Sequence, residues 1–300
     1  MRIGLTGAGN TPDAIIRQAE QAEADGFAAL WYPGATFGDA LVAVVLAGRA
    51  TRSIELGTAV LPTYLAHPVL MANRAAAVAA AIGAPGRFTL GVGPSHEPVV
   101  EGMLGLSYDT PGRHTEEYVD VLTTLLRGEA VSFKGEEYNV HSGAPTVQGD
   151  IDVPVLVAAL APRLLRVAAE RAAGTILWMA NAKSIADHVA PTITRFAESP
   201  RIVAGLPVAV TDDVDAAREV AAASFAIYGQ LPNYQRILAH GGVSSPADAA
   251  IVGDEASVTT QLEALIDAGA TDIWAAPFPV GPDKNESRER TNTLLKSLTG

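Results

Sequence analysis

Residues 87–96 read RFTLGVGPSH. Phe88 to Val92 is a short, almost wholly apolar run that Gly93-Pro94 stops abruptly, and a run of this length bounded by Gly and Pro predicts a buried strand. Gly91 and Gly93 strip its carboxyl end of side chains. Glycine inside a strand costs stability and marks the close approach of a ligand or of another backbone. The stretch sets the two questions on which fold and function turn: what lies against those glycines, and whether His96, just beyond them, acts on it.

Runs of the same kind recur along the chain. They are Ile3 to Leu5, AALWY (28–32), IELGTAVL (54–61), VPVLVAAL (153–160), GTILWM (174–179), IVAGLPVAV (202–210) and TDIWAAPF (271–278). Each is apolar enough to be buried on both faces, and Ala-rich helical segments separate most of them, the pattern of a parallel sheet covered by helices. Thr11-Pro12-Asp13 opens the first helix with a hydroxyl N-cap, a Pro at the first helical position and an acid in the first turn. Ile15, Ala19 and Ala22 share one face of it, and Gly26 closes it. The segments ADGFAALW, RAAGTILW and DAGATDIW repeat one grammar of helix end, Gly, short strand and Trp.

Eight such strands predict an α/β fold, a (β/α)8 TIM barrel with insertions after strand 4 and strand 7; a doubly wound sheet is the alternative. The first insertion runs from Pro94 to Pro154, with a helix around His114–Leu126 and a strand-like FKGEEYNV. The second runs from Thr211 to Ala270 and holds the loop HGGVSSPAD. Excursions of this length in a compact domain are lids or binding loops. Without a linker or a low-complexity run, residues 1–300 read as a single domain. Trp31, Trp178 and Trp274 lie at or near the carboxyl ends of predicted strands, the face on which barrel enzymes carry their active sites, and are candidate substrate-binding residues.

The chain of 300 residues is 48% hydrophobic and 18% charged, with a formal net charge of -12. An acidic surface argues against nucleic acid or an anionic membrane as partner, so an anionic ligand has to be met by local basic groups or backbone N–H groups. The absence of Cys excludes disulfides, thiolate metal sites and Cys nucleophiles. MRIGLTGAGN lacks a long apolar segment and no run reaches membrane-spanning length, which predicts a cytoplasmic protein. Gly91-Val92-Gly93 imitates the start of a dinucleotide fingerprint but lacks its third glycine, and Pro94 sits where a helix should open. The six histidines, at 67, 96, 114, 141, 188 and 240, show no metal-ligand spacing, so no metal is expected. Glu116-Glu117 and Glu136-Glu137 read as solvated pairs. Asp39 reads as a helix N-cap, and His67 before Pro68 as a shaper of a helix start.

Three stretches taken together, ATRSIELGTAVLPTYLAHPVLMANRAAAV, GRFTLGVGPSHEPVVEGMLGL and GRHTEEYVDVLTTLLRGEAVSFKGEEYNV, resemble the bacterial-luciferase-like superfamily, and the closing IVGDEASVTTQLEALIDAGATDIWAAPF agrees. The chain is most similar to the branch of oxidoreductases that use a deazaflavin, coenzyme F420; the FMN-dependent monooxygenases are the nearest alternative, and a cofactor-binding barrel without turnover is a further one. The resemblance implies hydride transfer between F420 and a small, largely apolar organic substrate, and it allows a homodimer.

The cofactor would lie at the carboxyl ends of the strands. Gly91 and Gly93 would admit a flat ring, flanked by Pro94 and Ser95. Thr58, Ala59 and Val60 end the third strand, where enzymes of this type carry a non-proline cis peptide under the ring; the matching bond here is Ala59–Val60. Leu160, Ala161, Arg163 and Leu164 lead into a helix whose N-terminal N–H groups can hold a phosphate. His96 falls where a sugar-phosphate dehydrogenase of the family carries an acidic proton acceptor, and a histidine can relay a proton there. That relative also has an Asp-His pair after strand two, where this chain reads Gly34-Ala35.

Overall fold

The computed structural model describes residues 1–34, 38–83, 85–144, 146 and 151–299. Eight parallel strands close into a barrel: β1 (Ile3–Thr6), β2 (Ala29–Tyr32), β3 (Glu55–Thr58), β4 (Phe88–Gly93), β5 (Val155–Val157), β6 (Gly174–Trp178), β7 (Arg201–Val210) and β8 (Asp272–Pro277). They pair in chain order, and β8 returns to β1 with Ile273 opposite Ile3. The first helix, Pro12–Ala24, is capped by Thr11, whose side chain accepts from the Ala14 amide, and its apolar face buries Ile15, Ala19 and Ala22 against the barrel. Asp39 caps Ala40–Ala50, and the His67 ring caps Pro68–Ile82 through the Val69 amide. Among the described residues no helix is long and apolar enough to cross a membrane.

Two predicted strands come out shorter. The run 54–61 ends at Thr58, because the chain turns at 59–60 before the two-residue strand Leu61–Pro62. The run 153–160 pairs only over Val155–Val157; beyond it Ala158 lies against Gly93, while Ala159 is buried in the main core. Between β4 and β5 stand the helix Pro111–Leu126 and an antiparallel hairpin of Ser132–Lys134 with Asn139–His141. Glu117 is not a solvated residue. It is buried and accepts the amides of Glu136, Glu137 and Tyr138, tying that hairpin to the helix. Between β7 and β8 lie the helical segments 214–249, the short strand Ile251–Gly253 and the helix Glu255–Asp267.

Strand alternation sends Leu30 and Tyr32 outward to the helices and Ala29 and Trp31 inward. The interior cluster is Ala29, Trp31, Leu156, Ile176, Val203 and Trp274. Its two indoles need facing glycines: a Cβ on Gly4 would lie 2.8 Å from Trp31 Nε1, and side chains on Gly57 and Gly205 would enter the rings of Trp31 and Trp274. Below them the amino ends of the strands carry charge. Arg201 holds Glu55 at 2.7 Å and Asp272 at 2.6 Å, Arg2 joins both carboxylates from β1's side, and the Thr89 hydroxyl donates to Glu55. The Arg201 guanidinium carbon lies 5.3 Å from the Trp31 ring centre, within cation–π range.

Burial alone would raise the Asp272 carboxyl, but hydrogen bonds from Arg201 and Thr271 and the charges of Arg201 and Arg2 outweigh it and hold its pKa below the usual value. Replacing Arg201→Ala leaves two buried carboxylates with only the half-exposed Arg2, and should cost about 3–5 kcal/mol at neutral pH. Without Arg201 burial is left to dominate at Asp272 and raises its folded-state pKa above the unfolded one, so the deficit grows as pH rises through that range. Urea unfolding from pH 7 down to about pH 4, near the unfolded carboxylate pKa, should show the gap to wild type narrowing on acidification.

Candidate active site

The carboxyl ends of the eight strands open on one face, and there the glycines of β4 find their partners. A side chain on Gly91 would run into the carbonyl oxygen of Thr58, with Val60 close by. The Thr58 hydroxyl accepts from the Gly91 amide at 2.9 Å and donates to the Gly91 carbonyl at 2.8 Å. Gly91 is therefore bare because β3 presses its backbone against it. This corrects the expectation that the missing side chain there opens directly onto a ring. At Gly93 a Cβ would sit 2.7 Å from the Ala158 Cβ and 3.1 Å from Val60 Cγ2, so its hydrogen keeps open the space between those two side chains.

The Ala59–Val60 peptide bond is cis, the bond to which the resemblance pointed. Ala59 and Val60 are partly exposed, as are Pro94, Ser95 and Ala158. Together with Gly93 they form a ledge of small and apolar groups along the ends of β3, β4 and β5. Ser95 has a positive φ of 61°, and its carbonyl accepts the Tyr108 hydroxyl at 2.8 Å, which pins the turn to the insertion. Gly34 backs the ledge, since a Cβ there would lie 2.8 Å from the Val60 carbonyl oxygen; Ala35 lies outside the described residues.

After β5 the helix Pro162–Arg171 begins with Ala161 as N-cap, so no side-chain oxygen covers its first amides, and its first turn has no acid. Those amides, including Arg163 and Leu164, carry the positive end of the helix dipole. The Leu160 carbonyl is occupied by His188 Nε2 at 2.8 Å. Arg163 is not a free cation: it donates to Glu116 at 2.9 and 2.6 Å, and Glu116 also holds Arg171 at 3.0 Å.

His96 caps the short helix Glu97–Val100 through its backbone carbonyl alone. Its ring is half-buried, makes no hydrogen bond among the described residues, and burial lowers its pKa below the ordinary histidine value, which leaves the imidazole neutral at pH 7. The three tryptophans fall at different depths. Trp31 is 0% exposed, a core residue of the barrel interior rather than of its rim. Trp274 is buried above it, its indole N–H donating to the Thr6 hydroxyl at 2.9 Å. Trp178 is partly exposed at the mouth, with its ring 4.9 Å from that of Trp274.

Sequence reasoning missed the residues that close the mouth opposite the ledge. Phe225, Tyr228 and Tyr234 come from the second insertion and pack on Trp178, on one another and on His96. Their local signal was no more than two tyrosines in AIYGQLPNYQ. Among the described residues no group of three or more His, Cys, Asp or Glu is arranged to hold a metal ion.

The model of the luciferase-like monooxygenase family matches residues 2–293. The chain is 25% identical over 287 residues to a 5,10-methylenetetrahydromethanopterin reductase of Methanolobus tindarius, covering 94% of this chain and 86% of the relative. It is 30% identical over 254 residues to an F420-dependent glucose-6-phosphate dehydrogenase of Beutenbergia cavernae, covering 81% and 70%. The solved structure of an F420-dependent secondary alcohol dehydrogenase in complex with an F420-acetone adduct matches with a TM-score of 0.76 at 20% identity, covering 99% of this chain and 97% of that one.

The two glycines of β4 should respond differently to the same methyl group. Gly91→Ala forces backbone apart and should cost stability at the upper end of the overpacking range of about 1–3 kcal/mol. Gly93→Ala pushes on two side chains and should cost less. Urea midpoints measured on both variants check the order.

Proposed function

Because this chain belongs to the luciferase-like monooxygenase family, we propose that it works as one of the deazaflavin-using oxidoreductases, moving a hydride between coenzyme F420 and a small, largely apolar organic substrate. The observation that carries the reading is the ledge of Ala59, Val60, Gly93, Ser95 and Ala158: an apolar shelf of small groups, the surface a flat fused ring needs on one face. Trp178 and Trp274 wall the space beside it, and Trp31 supports them from below.

These residues fit the cofactor's other end as well. The uncovered amides at the start of Pro162–Arg171 would take a phosphate, with Leu160 and Ala161 leaving the approach open. Arg163 would share its charge between that phosphate and Glu116. When bound, the deazaflavin supplies the carbon that accepts or donates the hydride, and the protein's part is position and proton. A neutral imidazole at His96 takes the proton from a substrate hydroxyl as hydride leaves the adjacent carbon, or returns it in the opposite direction.

Side-by-side equilibrium titrations test the cofactor: F420 should bind at least about tenfold more tightly than FMN, a difference of about 1.4 kcal/mol. Tighter FMN binding would transfer the assignment to the flavin-dependent monooxygenases. For an alcohol substrate, His96→Ala should keep F420 affinity and lower kcat by about 10²- to 10⁴-fold. Since the active form is the neutral imidazole and its pKa is depressed, the wild-type oxidation rate should hold through pH 7 and fall only below the ordinary histidine range. Cofactor binding without any absorbance change across a substrate panel would point to a barrel that binds and does not turn over.

A further inference from the structure

Six rings run in unbroken contact across the mouth. Between ring centres His96 lies 5.7 Å from Tyr234, Tyr234 4.9 Å from Tyr228, Tyr228 6.0 Å from Trp178, and Trp178 4.9 Å from Trp274 and 6.1 Å from Phe225. The pairs are tilted or edge-on, the arrangements in which aromatic rings attract. The arc joins the ends of β4 and β6 to Trp274 inside β8 through residues 225–234. Arginine meets aromatic rings elsewhere among the described residues, Arg166 at Phe196 and Arg201 at Trp31, but not here.

Besides the Tyr234 hydroxyl and the indole N–H groups of Trp178 and Trp274, two polar groups stand on the arc. One is the His96 imidazole. The other is the hydroxyl of the half-buried Tyr228, whose pKa burial raises. Beside it the Trp178 indole N–H is buried without a hydrogen-bond partner among the described residues. Tyr234, 8% exposed, touches both His96 and Tyr228 and fixes their spacing.

We propose that Tyr228 and His96, both packed against the Tyr234 ring, form a specificity subsite for an uncharged substrate carrying one oxygen function on an apolar, ring-sized body. The subsite rests on the oxidoreductase reading above and narrows its substrate class. The Tyr228 hydroxyl donates to the substrate oxygen, the His96 nitrogen accepts from it, and the rings receive the hydrocarbon. A phosphate or carboxylate entering the arc would lose water and meet rings that carry no stacked cation among the described residues, a cost that grows steeply with charge. Tyr234 is a positioning residue: its ring acts through its two neighbours.

Calorimetric titration of the full chain with F420, and then with cyclohexanol and glucose 6-phosphate as separate probes, tests this. Cyclohexanol should bind and glucose 6-phosphate should not. Tyr228→Phe should weaken cyclohexanol about tenfold, the loss of one hydrogen bond, with F420 affinity unchanged. If cyclohexanol is oxidised, Tyr234→Ala should lower kcat and raise KM together, and Tyr234→Phe should restore both. Preferred binding of glucose 6-phosphate, no binding of either probe, or a Tyr228→Phe variant that binds cyclohexanol like wild type overturns the subsite. Failure of F420 to bind while cyclohexanol binding still depends on Tyr228 overturns the cofactor reading and supports the subsite.

Discussion

Everything at the mouth stands on the way the barrel interior is filled. Two indoles, Trp31 and Trp274, occupy the volume that smaller side chains usually share in a barrel of eight strands. They fit because the facing positions are Gly4, Gly57 and Gly205. Three strands give up their side chains so that two others can place large ones. The glycines that look like concessions to flexibility are volume made available to neighbours, and a packed interior tolerates little change in volume.

Under this apolar layer lies a charged one. Arg201 ties carboxylates from β3 and β8, so one side chain links three strands that are far apart in sequence. A buried ion pair is a poor source of stability compared with apolar packing, but it penalises any register that leaves a charge unpaired. The cation–π contact with Trp31 joins the two layers. Position is thereby passed upward: the charges fix the amino ends of β3, β7 and β8, the indoles fill the space above, and the strand ends reach the mouth in a set arrangement. The ledge, made mostly of backbone and small side chains, has little means of positioning itself.

The barrel was legible because all eight strands are apolar on both faces and separated by helices, a signal that needs no knowledge of contacts. Strand ends were not. Ala158 to Leu160 are as apolar as the pairing residues before them, and only the closure of the barrel decides that pairing stops and that Ala158 meets Gly93. Gly91 was read as a place of close approach, which it is, but the approaching group is the Thr58 carbonyl. Sequence can mark a missing side chain without naming what takes its place. Arg163 was visible as a cation; its partner Glu116 is brought beside it by packing of the helix Pro111–Leu126 against Pro162–Arg171, a pairing no local pattern records. Tyr228 and Tyr234 lie in the second insertion, where helical periodicity is short and weak, so nothing in their neighbourhood sets them apart from ordinary loop tyrosines.

Charge explains why the candidate site takes the form it does. With a net charge of -12 the chain has more acids than bases, and near the first insertion its arginines are engaged: Arg163 and Arg171 share Glu116, Arg171 also holds Asp120, and Arg113 holds Glu136. An anionic group approaching such a surface is repelled at long range and must be held by something the acids cannot neutralise. Backbone N–H groups at a helix start meet that condition, because their partial charge is fixed by the fold and has no carboxylate partner. At the other end of the site an arc of neutral rings carrying uncharged polar groups favours a neutral molecule. Under the proposed reading, one cleft in an acidic protein would accept a charged cofactor at one end through backbone N–H groups and favour an uncharged substrate at the other through neutral rings.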